Sequence, residues 1–140
     1  MNNEKIRMSN PKLSIRLVAL LVSSHSAAEC YVVDNLQGWS VRARDNYELI
    51  DDGFSQDKFY LNFGQADDDS WMSNDPNRIK IPCVNDGVLV CVDRRYADAV
   101  LTWSIDTESR KVAHTRTQKD TGFSDGASMM IGDLISVCED

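Results

Sequence analysis

The strongest constraint on how this chain can fold is its punctuation. From residue 30 onward, short apolar or alternating runs are cut by clusters of turn-forming residues: Asp34-Asn35, Asp45-Asn46, Asp51-Asp52-Gly53, Asn85-Asp86-Gly87, Asp106-Thr107-Glu108-Ser109 and Gly122-Phe123-Ser124-Asp125-Gly126. Gly and Asn tolerate the backbone conformations of tight turns, and Asp, Asn and Ser side chains hydrogen-bond back onto the turn. Between the clusters no stretch keeps a 3.6-residue apolar period for three turns, so amphipathic helices are not the framework. Strands are expected over 31–33, 39–43, 47–50, 58–63, 78–84, 87–92, 99–105, 111–118 and 127–138, with Gly132 bending or bulging the last. Single helical turns fit around 70–77 and 94–99.

About eight strands at intervals of about 8–12 residues have the rhythm of an all-β fold, a small antiparallel β-barrel or sandwich. Leu101, Trp103 and Ile105 share one strand face, so Trp103, with Phe59 or Phe63, is expected in the core. Trp71 lies in the polar stretch 67–77 with no strand pattern around it. It reads as a plug over one barrel end or as a recognition residue.

The four cysteines fit the same picture. Cys83 and Cys91 stand on the two arms of the Asn85-Asp86-Gly87 hairpin, and Cys30 and Cys138 bracket the strand-rich region. Two disulfides are expected, Cys83–Cys91 and Cys30–Cys138, although the sequence leaves the two alternative connectivities open. No Cys-x-x-Cys occurs, which disfavours a zinc site.

Residues 1–28 read as a secretory signal peptide. Lys5, Arg7, Lys12 and Arg16 precede the apolar block Leu17-Val18-Ala19-Leu20-Leu21-Val22, and Ser26 and Ala28 supply small residues for cleavage after Ala28. The block is far shorter than the about 20 apolar residues of a membrane-spanning helix. The remainder, 29–140, has the length of one domain. Even-numbered cysteines after a signal peptide imply an oxidising compartment, so the protein is expected to be periplasmic or secreted. The absence of an Asn-x-Ser/Thr sequon leans toward a bacterial source.

The formal charge is −7, and without residues 1–28 it becomes −10, with 11 basic against 21 acidic side chains. Such a domain repels nucleic acid and anionic membranes and attracts a cationic protein. No catalytic constellation is legible. His114 is the single histidine beyond residue 28, and most carboxylates sit in turns; Gly122-Phe123-Ser124-Asp125-Gly126 has the letters Gly-x-Ser-x-Gly but turns into a strand, not into the helix that a nucleophile elbow requires. Asp67, Asp68, Asp69, Asn74, Asp75 and Asn77 are the densest set of oxygen ligands, but they lack the spacing of an EF-hand, so no metal or other cofactor is assigned.

The expected function is therefore that of an exported, non-catalytic binding or inhibitor-type domain with a cationic protein partner. Its contacts would run through Asp67, Asp68, Asp69, Trp71 and Asp75, or through 122–128 with Ser124 and Asp125. The alternative is a small periplasmic hydrolase or metal-dependent enzyme using the Asp-rich loop. Convergent carboxylates in a concave pocket would favour the enzyme. The layout is similar to that of several periplasmic inhibitor proteins, among them the small barrels that inhibit c-type lysozyme. Gly122-Phe123-Ser124-Asp125-Gly126-Ala127-Ser128 is similar to their inhibitory loop in composition, while their Lys-Gly pair beyond an aromatic has no counterpart here.

Overall fold

A computed structural model describes residues 29–65, 69–74, 79–95, 98–119 and 125–138. The expected signal peptide, and Asp67, Asp68, Asp75 and Ser124, lie outside the described residues. Within them run β1 (Glu29–Arg42), β2 (Ile50–Phe54), β3 (Phe59–Phe63), β4 (Trp71–Ser73), β5 (Ile81–Asn85), β6 (Leu89–Asp93), β7 (Asp98–Asp106), β8 (Lys111–Lys119) and β9 (Gly126–Val137). Each pairs antiparallel with its neighbour, and β9 returns to β1, closing an eight-strand barrel to which β2 is added. The β2 and β3 strands lie end to end along one edge of β1: Leu36 is opposite Phe54, and Glu29 opposite Phe63.

The hairpin turns follow the local chemistry. Gly87 has φ +75°, a conformation costly for any side chain bearing a Cβ, and its N–H is accepted by Asn85 Oδ1 at 3.2 Å. Between β7 and β8 the Asp106 carboxylate accepts from the Glu108 and Ser109 N–H groups at 3.0 and 3.1 Å. Both disulfides form: Cys83 and Cys91 are directly opposite in the β5–β6 ladder, and Cys30–Cys138 ties the start of β1 to the residue after β9.

Several sequence expectations are corrected. The β1 strand is continuous through Asp34-Asn35 and Gly38, which were expected to turn. A bulge absorbs the turn residues instead: Asn35 has φ +53°, and the β1–β9 register shifts between Asp34 and Gln37. The irregularity expected at Gly132 thus sits on the opposing strand. Gly132 leaves the room that Leu36 fills, since a Cβ there would come within 2.7 Å of Leu36 Cδ2.

The strand expected at 47–50 starts only at Ile50, and Asp51-Asp52-Gly53 is strand, not turn. The reversal happens earlier, in a 3-10 turn over Ala43–Asp45 followed by Asn46 and Tyr47 at φ +53° and +59°. Trp71 is also corrected. It begins β4, opposite Asn62 and Pro82, so 71–73 are strand where a helical turn was expected, and 75–77 lie outside the described residues.

The core fills the barrel around Trp103, Leu36, Leu61, Leu89, Val33, Val112 and Met130, all but sealed from solvent. Phe59 and Phe63 pack against it from partly buried positions. Antiparallel pairing places Cys30, Cys138 and the 86–88 and 107–110 turns at one end, the disulfide end. Arg42, the end of β8 and the start of β9 occupy the other, the mouth.

Candidate binding site

The mouth is built by the inward phase of four strands. On β8, Val112 and His114 are buried, and the same alternation carries Arg116 and Gln118 toward the interior. On β1, the bulge at Asn35 shifts the phase, so Ser40 is 2 % exposed whereas Trp39 is 49 % exposed. Ser128 and Met130 contribute from β9, and Asp52 and Phe54 from β2. Arg116, Gln118, Ser40 and these β9 and β2 residues, with Arg42 and Arg44, line a cavity of about 180 Å³.

Charge in this cavity is distributed unevenly. Arg42 is ion-paired with Asp52, and Arg44 reaches Asp45 at 3.4 Å. The Arg116 side chain makes no hydrogen bond or ion pair with any described residue, and its Nε is buried without a partner. Burial pushes its pKa down; the charge of Asp93 opposes this and that of Arg42 adds to it. The Ser40 hydroxyl is likewise buried and without a partner. A buried polar group lacking a partner costs about 1–3 kcal/mol, more if charged, so the mouth holds unused hydrogen-bonding capacity.

Arg116 and Phe54 also border a second cavity, of about 190 Å³, on the side of β3 to β7. His114 reaches this cavity from the core, stacked on Trp103 at 3.9 Å between ring centres. Its Nδ1 lies 3.1 Å from the Thr102 carbonyl oxygen, which can only accept, so Nδ1 carries the proton. Burial pushes the His114 pKa down to about 4, leaving the ring neutral at pH 7. Asp93 is held by Arg95 through two bonds of 2.8 Å, and those bonds draw its pKa below the usual carboxylate range. A general acid needs the opposite shift.

The other sequence-derived candidates are dispersed. Asp69 precedes β4 at the disulfide end, where its carbonyl accepts from Asn62 Nδ2 at 2.6 Å. Trp71 is half-buried, with the Lys80 ammonium 4.2 Å from its ring centre. Asp125 lies at the mouth end, where its carbonyl accepts from the Ala43 N–H at 2.8 Å. Asp69 and Asp125 therefore sit at opposite ends of the barrel. Among the described residues no three His, Cys, Asp or Glu side chains gather as a metal site, and no helix is long and apolar enough to cross a membrane.

Sequence reading missed Ser40, Arg42, Arg44, Arg116 and Gln118. The period-two signal was present for Arg116 and Gln118, which share the phase of Val112 and His114. No family model matches the chain, and neither a curated protein nor a solved structure shows significant similarity to it.

Proposed function

We propose that this chain is an exported, non-catalytic binding domain whose ligand site is the mouth of the barrel. The observation that carries the reading is the lining of its concave surface. That lining offers a guanidinium and a hydroxyl without partners, while its one carboxylate, Asp52, is engaged by Arg42. Such groups hold a ligand but supply neither a nucleophile–base pair nor two free carboxyls. The two disulfides fit an oxidising compartment, which agrees with export to the periplasm or beyond. Residues 29–140 form the binding domain, and 1–28 the signal peptide.

The acidic outer surface supports a second contact, with a cationic protein, through Asp69 and Trp71 together with Asp67, Asp68 and Asp75. The enzyme reading is tested directly. Disulfide-intact protein is offered nitrophenyl esters, glycosides and phosphates with and without calcium, and no saturable turnover is expected. Turnover that is lost in His114→Phe or in a D67N/D68N/D69N variant would replace binding with catalysis.

A further inference from the structure

We infer that the mouth binds a small monocarboxylate bearing an apolar body, seated with its carboxylate on Arg116 and its body against Phe54 and Met130. The inference deepens the proposed function and rests on reading the domain as a binder.

Three observations fix the ligand chemistry. The first is the charge count at the site. Arg42 and Arg44 are matched by Asp52 and Asp45, whereas Arg116 is matched by no carboxylate within ion-pair distance among the described residues. A guanidinium with no carboxylate at ion-pair distance suits one negative charge, which argues for a carboxylate over a phosphate dianion. A planar carboxylate also fits the two-pronged geometry of a guanidinium.

The second is Ser40, 2 % exposed, beside the cavity and with its hydroxyl unpartnered. A buried Ser ordinarily satisfies its hydroxyl within the fold. Here Ser128 and Gln118 border the same cavity, so a bound oxygen would meet donors from three strands. The third is the apolar share of the lining. Met130 is 1 % exposed and Phe54 packs edge-on against Phe59 at 5.9 Å, giving a preformed wall. A cavity of about 180 Å³ exceeds the about 150 Å³ that admits benzene into an engineered protein core, so a ring or a branched aliphatic group fits beside the carboxylate.

The rest of the domain is strongly acidic and repels anions at long range, but at physiological salt this field decays over about 8 Å. Arg116 then dominates inside the cavity.

The experiment titrates benzoate, benzylamine and inorganic phosphate into disulfide-intact protein, following the Arg116 Nε–H and Gln118 side-chain amide signals by NMR. Benzoate is expected to bind saturably, with Kd about 1 mM or tighter. Binding should weaken at least tenfold in Arg116→Met and severalfold in Ser40→Ala, and stay unchanged in Lys111→Met, whose side chain pairs with Asp133 at the disulfide end. Equal binding of benzylamine overturns the charge assignment, and equal binding of phosphate overturns the apolar body. No saturable shift with benzoate in the folded wild type overturns the inference as a whole. That failure is separate from failure of the binding-domain reading, which falls only if the substrate panel shows turnover.

Discussion

The two ends of this barrel are built by the same strands and do opposite things with their interiors. At the disulfide end, β1, β8 and β9 direct Val33, Leu36, Val112 and Leu134 inward, around Trp103 from β7. Less than 20 Å further along, at the about 3.3 Å rise of a strand residue, they direct Ser40, Arg116, Gln118 and Ser128 inward. The first set is buried and packed into one cluster. The second leaves a cavity, an unpaired guanidinium and an unpaired hydroxyl. Burial of apolar area stabilises at roughly 25 cal/mol per Å², whereas buried polar groups without partners cost stability. One end therefore contributes most of the folding free energy, and the other forgoes part of it in polar groups without partners.

The sharpest way to break this division is to cut the tether at the stable end. Replacing Cys30 and Cys138 together by Ser opens a link spanning 108 residues. In the chain-entropy account such a loop is worth about 4–5 kcal/mol. A fall of that size in denaturant-unfolding free energy is expected, with the benzoate site still formed in the molecules that remain folded. If stability hardly changes, the disulfide end is not where the fold is secured.

A second break comes from pH. His114 lies between the two ends, 3 % exposed and stacked on Trp103. In the unfolded chain its pKa returns to about 6.5, and in the fold it is about 4. The unfolded state therefore binds the proton more readily throughout that window. Stability is fully present above pH about 6.5, falls as the pH drops toward 4, and levels below, for a loss of about 3 kcal/mol. Asp93 and Asp133, whose pKa values lie below the ordinary carboxylate value, give up their contributions at still lower pH. Urea unfolding at stepped pH should show the slope in the wild type and lose it in His114→Phe. A slope unchanged by that substitution would assign the acid sensitivity to other groups.

How much of the molecule was legible in its sequence divides along the same line. The strand rhythm, the Asn85-Asp86-Gly87 hairpin and the core position of Trp103 could be read directly, because alternation and turn chemistry act locally. The mouth could not, for two physical reasons. Counting by twos from the inward Val33 puts Trp39 and Val41 in the core. The bulge at Asn35 inverts that phase and brings Ser40 and Arg42 inward, with Trp39 out on the surface. A bulge depends on what lies across the ladder, here Leu36 packing over Gly132. The second reason is charge. Arg116 in a strand reads as a solvent-facing residue, since arginine is rarely buried unpaired. Asp51-Asp52-Gly53 reads as a turn, yet Asp52 is a strand residue paired with Arg42. The sites missed were those where local preference yielded to tertiary context, which is where functional positions concentrate.

The smallest predicted effect bears on the mouth alone. In the absence of ligand, Arg116→Met should leave stability unchanged or raise it by about 1 kcal/mol. Methionine keeps most of the arginine stem's apolar contact and removes a charge that burial already disfavours. Ser40→Ala should behave alike, because the hydroxyl it deletes has no partner to lose. Denaturant midpoints of the two variants, measured beside Leu36→Ala as a disulfide-end control expected to cost about 2–5 kcal/mol, place all three on one scale. Parity of Arg116→Met with Leu36→Ala would make the arginine a strut of the fold and erase the distinction between the ends. A neutral or stabilising result, together with loss of benzoate binding, would mean that the residue is kept despite its cost to stability, as expected of a group whose partner is a ligand.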